Sequence, residues 1–80
     1  MRIRIVEKKL GRERALGQCY HGENVVEIDP RQGERERLDT LIHEVLHLAK
    51  PDLAEDEVIR VANILSKQVW KCGYRRILKS

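Results

Sequence analysis

The chain has 80 residues, 41% of them hydrophobic and 36% charged, with a formal net charge of +3. That length allows one domain, residues 1–80, with a modest core, and the composition excludes a disordered or low-complexity polymer. No apolar run approaches the roughly 20 residues that cross a bilayer, so no membrane span is expected.

The first residues, MRIRIVEKKL, lack the apolar core of about 7 to 15 residues found in secretion signals, which predicts a cytoplasmic protein. Residues 2–6, RIRIV, alternate polar and apolar side chains and predict a strand with one buried face. Gly11 and Gly17 punctuate the next stretch, where RERAL fits a helical turn or a loop equally well. Residues 18–21 and 25–29 predict two further short strands. Gly22-Glu23-Asn24 is turn chemistry between them, and Pro30 ends the last. The expected sheet is small, three-stranded and mostly antiparallel.

A long helix is predicted from about residues 32–34 to Ala49. Leu38, Leu41, Ile42, Val45 and Ala49 form its apolar stripe, and Lys50-Pro51 stops it. Asp52 is the expected cap of a second helix, with Glu55 completing a capping-box pattern. Val58, Val61, Ala62, Leu65 and Val69 form that helix's apolar face, and Gly73 is its expected stop. The fold class is therefore α+β.

Cys19 and Cys72 are too far apart for a zinc knuckle or a redox pair, and in a cytoplasmic protein they stay reduced. Basic residues gather near the two ends: Arg2, Arg4, Lys8, Lys9 and Arg12, then Lys71, Arg75, Arg76 and Lys79. Such charge favours phosphate contacts, but it serves equally as a solubilising surface. With Tyr20, Tyr74 and Trp70 as the only aromatics, a base-stacking platform is not favoured.

The most informative stretch is LIHEVLHLAK, residues 41–50. Residues four apart on a helix are neighbours on one face, so His43 and His47 can reach one metal ion. Glu44 follows the first histidine, giving the H-E-x-x-H arrangement of two zinc ligands and a general base. At about 100° per residue, both histidines fall opposite the centre of the apolar stripe, towards a cleft. The alternative is a pair of solvent-exposed histidines.

A catalytic zinc site takes three protein ligands and a water. Candidates for the third ligand are Glu55, Glu57, Asp56 and His21. Glu55 and His47 each lie four residues from Pro51, which puts them at one level if the helices are antiparallel. Tyr20, His21, Tyr74 and Arg75 are candidate donors to a developing oxyanion. Cys19 is a further possible ligand, or a buried thiol.

The run GQCYHGENVVEIDPRQGERERLDTLIHEVLH resembles the zincin metallopeptidases, in particular the ImmA/IrrE type and small phage-encoded metallopeptidases. PDLAEDEV and VWKCGYR look like the tail of the phage type, so the likeness spans residues 17–76. It implies a minimal zincin fold, with Zn2+ held by His43, His47 and an acid of the second helix, Glu55 first among them. It also implies Glu44 as general base, a peptide or protein substrate, and a host cytoplasm as the setting. The chain departs from the larger family at Leu46, where glycine is common, and at Val61, where an acid often precedes the Ala-Asn pair. A catalytically inactive zinc-binding or interaction module is the first rival function, and a small basic DNA-associated protein the second.

Overall fold

The computed structural model describes residues 1–11 and 16–76. Most of RERAL, together with Arg12 and Lys79, lies outside them. The elements are β1 (Arg4–Glu7), β2 (Gly17–Tyr20), β3 (Val25–Ile28), α1 (Glu34–Ala49) and α2 (Glu55–Lys71). This is the expected α+β arrangement of three strands and two helices, with strand limits moved by one or two residues.

The sheet differs from expectation in its topology. Its order is β1-β3-β2, with β1 parallel to β3 and β2 antiparallel to β3. The sheet is thus mixed rather than mostly antiparallel. The three strands still alternate in direction along the chain. However, β3 enters the slot between its predecessors, which sets it parallel to the first. VVEI is the most apolar of the three, and Val25, Val26 and Ile28 are all buried. The central slot covers both edges of a strand, so burial is greatest there.

One sheet face carries Val26 and Ile28, which pack with Leu48 of α1; Ile3, Cys19, Leu41 and Val45 join at the margin. The other face is polar. Glu27 Oε1 accepts hydrogen bonds from Gln18 Nε2 at 2.6 Å and the Tyr20 hydroxyl at 3.1 Å, and Lys8 lies 3.7 Å from Oε2.

At the C-terminal end of β3, buried Asp29 ties three segments together. Its carboxylate accepts from the backbone N–H and the guanidinium of Arg31 and from the N–H of Leu10, and its own N–H donates to the carbonyl of Leu16. Gln32 continues the junction, donating to the carbonyls of Leu16 and Asp29 while accepting from Thr40 Oγ1. The entry into α1 is thereby anchored to the sheet.

Lys50-Pro51-Asp52-Leu53 forms a turn closed by Leu53 N–H on the Lys50 carbonyl at 3.1 Å. Asp52 is consumed by this turn, so the expected cap is corrected: the residue before α2 is Ala54, with no side-chain cap. The expected capping box does not form, and Glu55 is free for other contacts. α2 then runs back along α1, so that Glu55 meets His43 and His47 while Ser66 meets Asp39. Val58, Ala62 and Ser66 are its buried line. Leu65 is exposed, contrary to expectation, because Ser66 holds the inward position. Gly73, with φ +87°, ends the helix as expected: its N–H bonds Trp70 and that of Tyr74 bonds Val69, the paired closure of a Schellman turn. Among the described residues, no helix is long and apolar enough to cross a membrane.

Candidate metal centre

The most buried line of α1 is Thr40, Glu44 and Leu48, rather than the expected stripe, from which Ala49 is exposed. The histidines are accordingly not opposite the buried side. They lie one residue round from that line, half-buried in the crevice between α1 and α2. Their rings are 4.9 Å apart, edge to face.

Two imidazole nitrogens and the two oxygens of one carboxylate converge in that crevice. His43 Nε2 is 2.9 Å from Oε1 of Glu55, His47 Nε2 is 2.9 Å from Oε2, and the two Nε2 atoms are 3.2 Å apart. Neighbouring ligands of a tetrahedral zinc, at bond lengths of about 2.0–2.1 Å, stand roughly 3.3 Å apart. The observed separations are only slightly shorter. Two imidazole nitrogens and a carboxylate are also an ordinary zinc donor set. The side chain of Glu55 is 59% exposed, which leaves an open approach from solvent. The residues therefore fit the ion.

The other candidate ligands are placed elsewhere. Glu57 pairs with Arg60 at 2.8 Å, and that guanidinium holds its carboxyl below the usual carboxylate value. Asp56 is exposed and outside the cluster. His21 sits in the turn after β2, where its Nε2 donates to the backbone carbonyl of His47 at 2.9 Å. Cys19 is not part of the cluster either. Burial pushes its thiol up to about 11, and the nearby carboxylates of Glu44 and Glu55 add to the rise.

Glu44 is only 9% exposed; among the described residues its carboxylate forms no ion pair, and the Cys19 thiol is its hydrogen-bonding neighbour. Its position is set by Gly17 of β2. A Cβ on Gly17 would stand 2.5 Å from Thr40 Cγ2 and 3.1 Å from Glu44 Cγ. Strand and helix thus touch where only glycine fits. A cavity of about 320 Å³ opens beside this contact, lined by Leu16, Gly17, Asp39, Thr40, His43 and Glu44. The close approach of Gly17 was hidden in the sequence, where glycine reads as punctuation.

Of the candidate oxyanion donors, His21 lies beside the centre but is engaged by the His47 carbonyl, and the other three lie elsewhere. The Tyr20 hydroxyl is bound to Glu27 on the polar sheet face. Tyr74 and Arg75 stand beyond the far end of α2, about 24 Å of helix from Glu55. There they line a separate apolar groove, and Arg75 stacks 3.6 Å from the ring centre of Trp70. Of the terminal cations, Arg76 pairs with Glu7 and Glu34, and Lys8 with Glu27, so part of that charge serves the fold. Comparisons with protein-family models, curated proteins and solved structures find no match for this chain.

Proposed function

We propose that this chain is a small zinc-dependent metallopeptidase of the zincin type, with His43, His47 and Glu55 as metal ligands and Glu44 as general base. The observation that carries the proposal is the clustering of two imidazole nitrogens and one carboxylate within 4.8 Å of one another, with the largely buried Glu44 one residue from the first histidine. When bound, zinc supplies Lewis acidity, polarising a carbonyl and easing the ionisation of water.

The chain's own groups do the rest. Glu44 faces the cavity beside His43, where it accepts the proton of the attacking water and passes it to the leaving amine. Gly17 and Thr40 hold its side chain in place. His21, bonded to the His47 carbonyl, fixes the end of the ligand helix against the β2–β3 turn. The substrate class is a peptide or protein, and the setting is a cytoplasm, that of the host for a phage-encoded chain.

A zinc-holding interaction module is the second reading. It is favoured by the exposure of Glu55 and by the small size of the cavity. Elemental analysis and a peptide-hydrolysis assay separate the two. The peptidase carries about one zinc per chain, loses it in His47→Ala, and loses hydrolysis but not zinc in Glu44→Gln. A protein that holds zinc and cleaves nothing is the module, and one that cannot be loaded with zinc overturns both readings.

A further inference from the structure

The cavity beside Glu44 does not end there. A second, of about 220 Å³, shares Leu16, Asp39 and Thr40 with it and reaches Asn63 and Ser66 of α2. Sharing those three residues, the two adjoin along α1 as one channel, with Glu44 at one end.

Asp39 stands at the junction of the two cavities. It is one turn before His43, so the two side chains are neighbours on one helix face, about 6 Å apart at Cβ. Ser66, 2% exposed, orients it: the hydroxyl lies 3.1 Å from Asp39 Oδ1 and 3.2 Å from the Asn63 carbonyl, and its single proton serves one at a time. Asp39 Oδ2 has no hydrogen bond or ion pair among the described residues. Glu36, Asp39 and Glu44 line the channel against one arginine, Arg35, which pairs with no carboxylate within 4.0 Å among the described residues. Leu16 and the Thr40 methyl supply apolar wall for an alkyl stem, leaving a charged head near solvent.

We propose that Asp39 is a specificity-determining residue that selects lysine or arginine beside the bond cleaved. The proposal rests on the peptidase reading. An aspartate held by a buried hydroxyl, with one oxygen free, accepts a charge-assisted hydrogen bond from an ammonium or guanidinium. The excess of carboxylates over cations among the described lining residues disfavours acidic side chains at the same position.

The test uses zinc-loaded protein and a mixture of short peptides, with cleavage sites read by mass spectrometry. Lysine and arginine are expected at one position flanking the cut. A lysine peptide should exceed its norleucine counterpart by about tenfold in kcat/KM, the worth of one charged hydrogen bond. Asp39→Asn should erase that ratio while zinc content stays at the wild-type level. Asp39→Ser serves the same purpose if the asparagine variant does not fold. In a second arm, zinc-loaded Glu44→Gln binds the two peptides, labelled for fluorescence anisotropy, and the lysine peptide is expected to bind about tenfold more tightly. Cleavage without a cationic preference overturns the Asp39 assignment and leaves the peptidase reading intact. Preferential binding without cleavage by the wild type overturns the peptidase reading and with it the role beside a cleaved bond, keeping for Asp39 only the recognition of a cationic side chain. Equal binding, or no binding, of the two peptides overturns the assignment.

Discussion

The Nε2 atoms of His43 and His47 lie 3.2 Å apart, each 2.9 Å from a different oxygen of Glu55. Two imidazole nitrogens and a carboxylate this close can share one metal ion. With zinc present, the site ties α2 to α1 through Glu55. Zinc at 100 times its Kd should then stabilise the fold by about 2.7 kcal/mol, or roughly 10 °C or more in Tm for a domain of this size. Glu55→Gln keeps the shape but loses the charge, and should weaken zinc by about 100-fold or more, since even outer-sphere changes cost 10- to 100-fold. Competition against a chelating dye and thermal melts with and without zinc read both effects. An unchanged affinity in Glu55→Gln would remove Glu55 from the ligand set.

The contact between Gly17 and the helix is tight enough to be tested by one methyl group. A Cβ there would lie 2.5 Å from Thr40 Cγ2, so β2 or α1 has to move. Gly17→Ala should cost about 1–3 kcal/mol in urea unfolding, and it should impair hydrolysis more than zinc binding. Glu44 is the residue displaced, whereas neither His43 nor His47 is among the atoms nearest that Cβ.

Asp29 gives the protein an acid-sensitive junction. The guanidinium of Arg31, then the backbone N–H groups of Arg31 and Leu10, hold its carboxyl well below the usual carboxylate range. Because the folded value is depressed, the stabilisation is fully present above the unfolded value of about 3.9. It is lost as pH falls from there through the folded value. Asp29→Asn should therefore lower stability at neutral pH and flatten the decline below about pH 4, as followed by circular dichroism.

The two cysteines should separate cleanly by reactivity. Cys72 is exposed, while Cys19 is half-buried with its thiol raised to about 11. At pH 8 only about one Cys19 in a thousand is then thiolate, the reactive form. Iodoacetamide should modify Cys72 first, with Cys19 protected until the fold is opened, as peptide mass mapping can show. Equal rates at both positions would contradict the packing of β2 on α1.

Much of this protein was legible from local pattern. Helix periodicity placed α1 and α2, Pro51 and Gly73 marked their ends, and the spacing of His43 and His47 put two imidazoles side by side, because a helix makes residues four apart neighbours without help from the rest of the chain. Counting outward from Pro51 even set Glu55 level with His47. Tertiary structure decided what spacing cannot express. The insertion of β3 between β1 and β2 made the sheet mixed, since the most apolar strand gains most from the central slot. The turn at Lys50–Leu53 consumed Asp52, and α2 then delivered Glu55, rather than Glu57, Asp56 or His21, to the histidines. The approach of Gly17 to Glu44 and of Ser66 to Asp39 joins residues 27 positions apart in each case. No local periodicity encodes such pairs, because they exist only once sheet and helices pack.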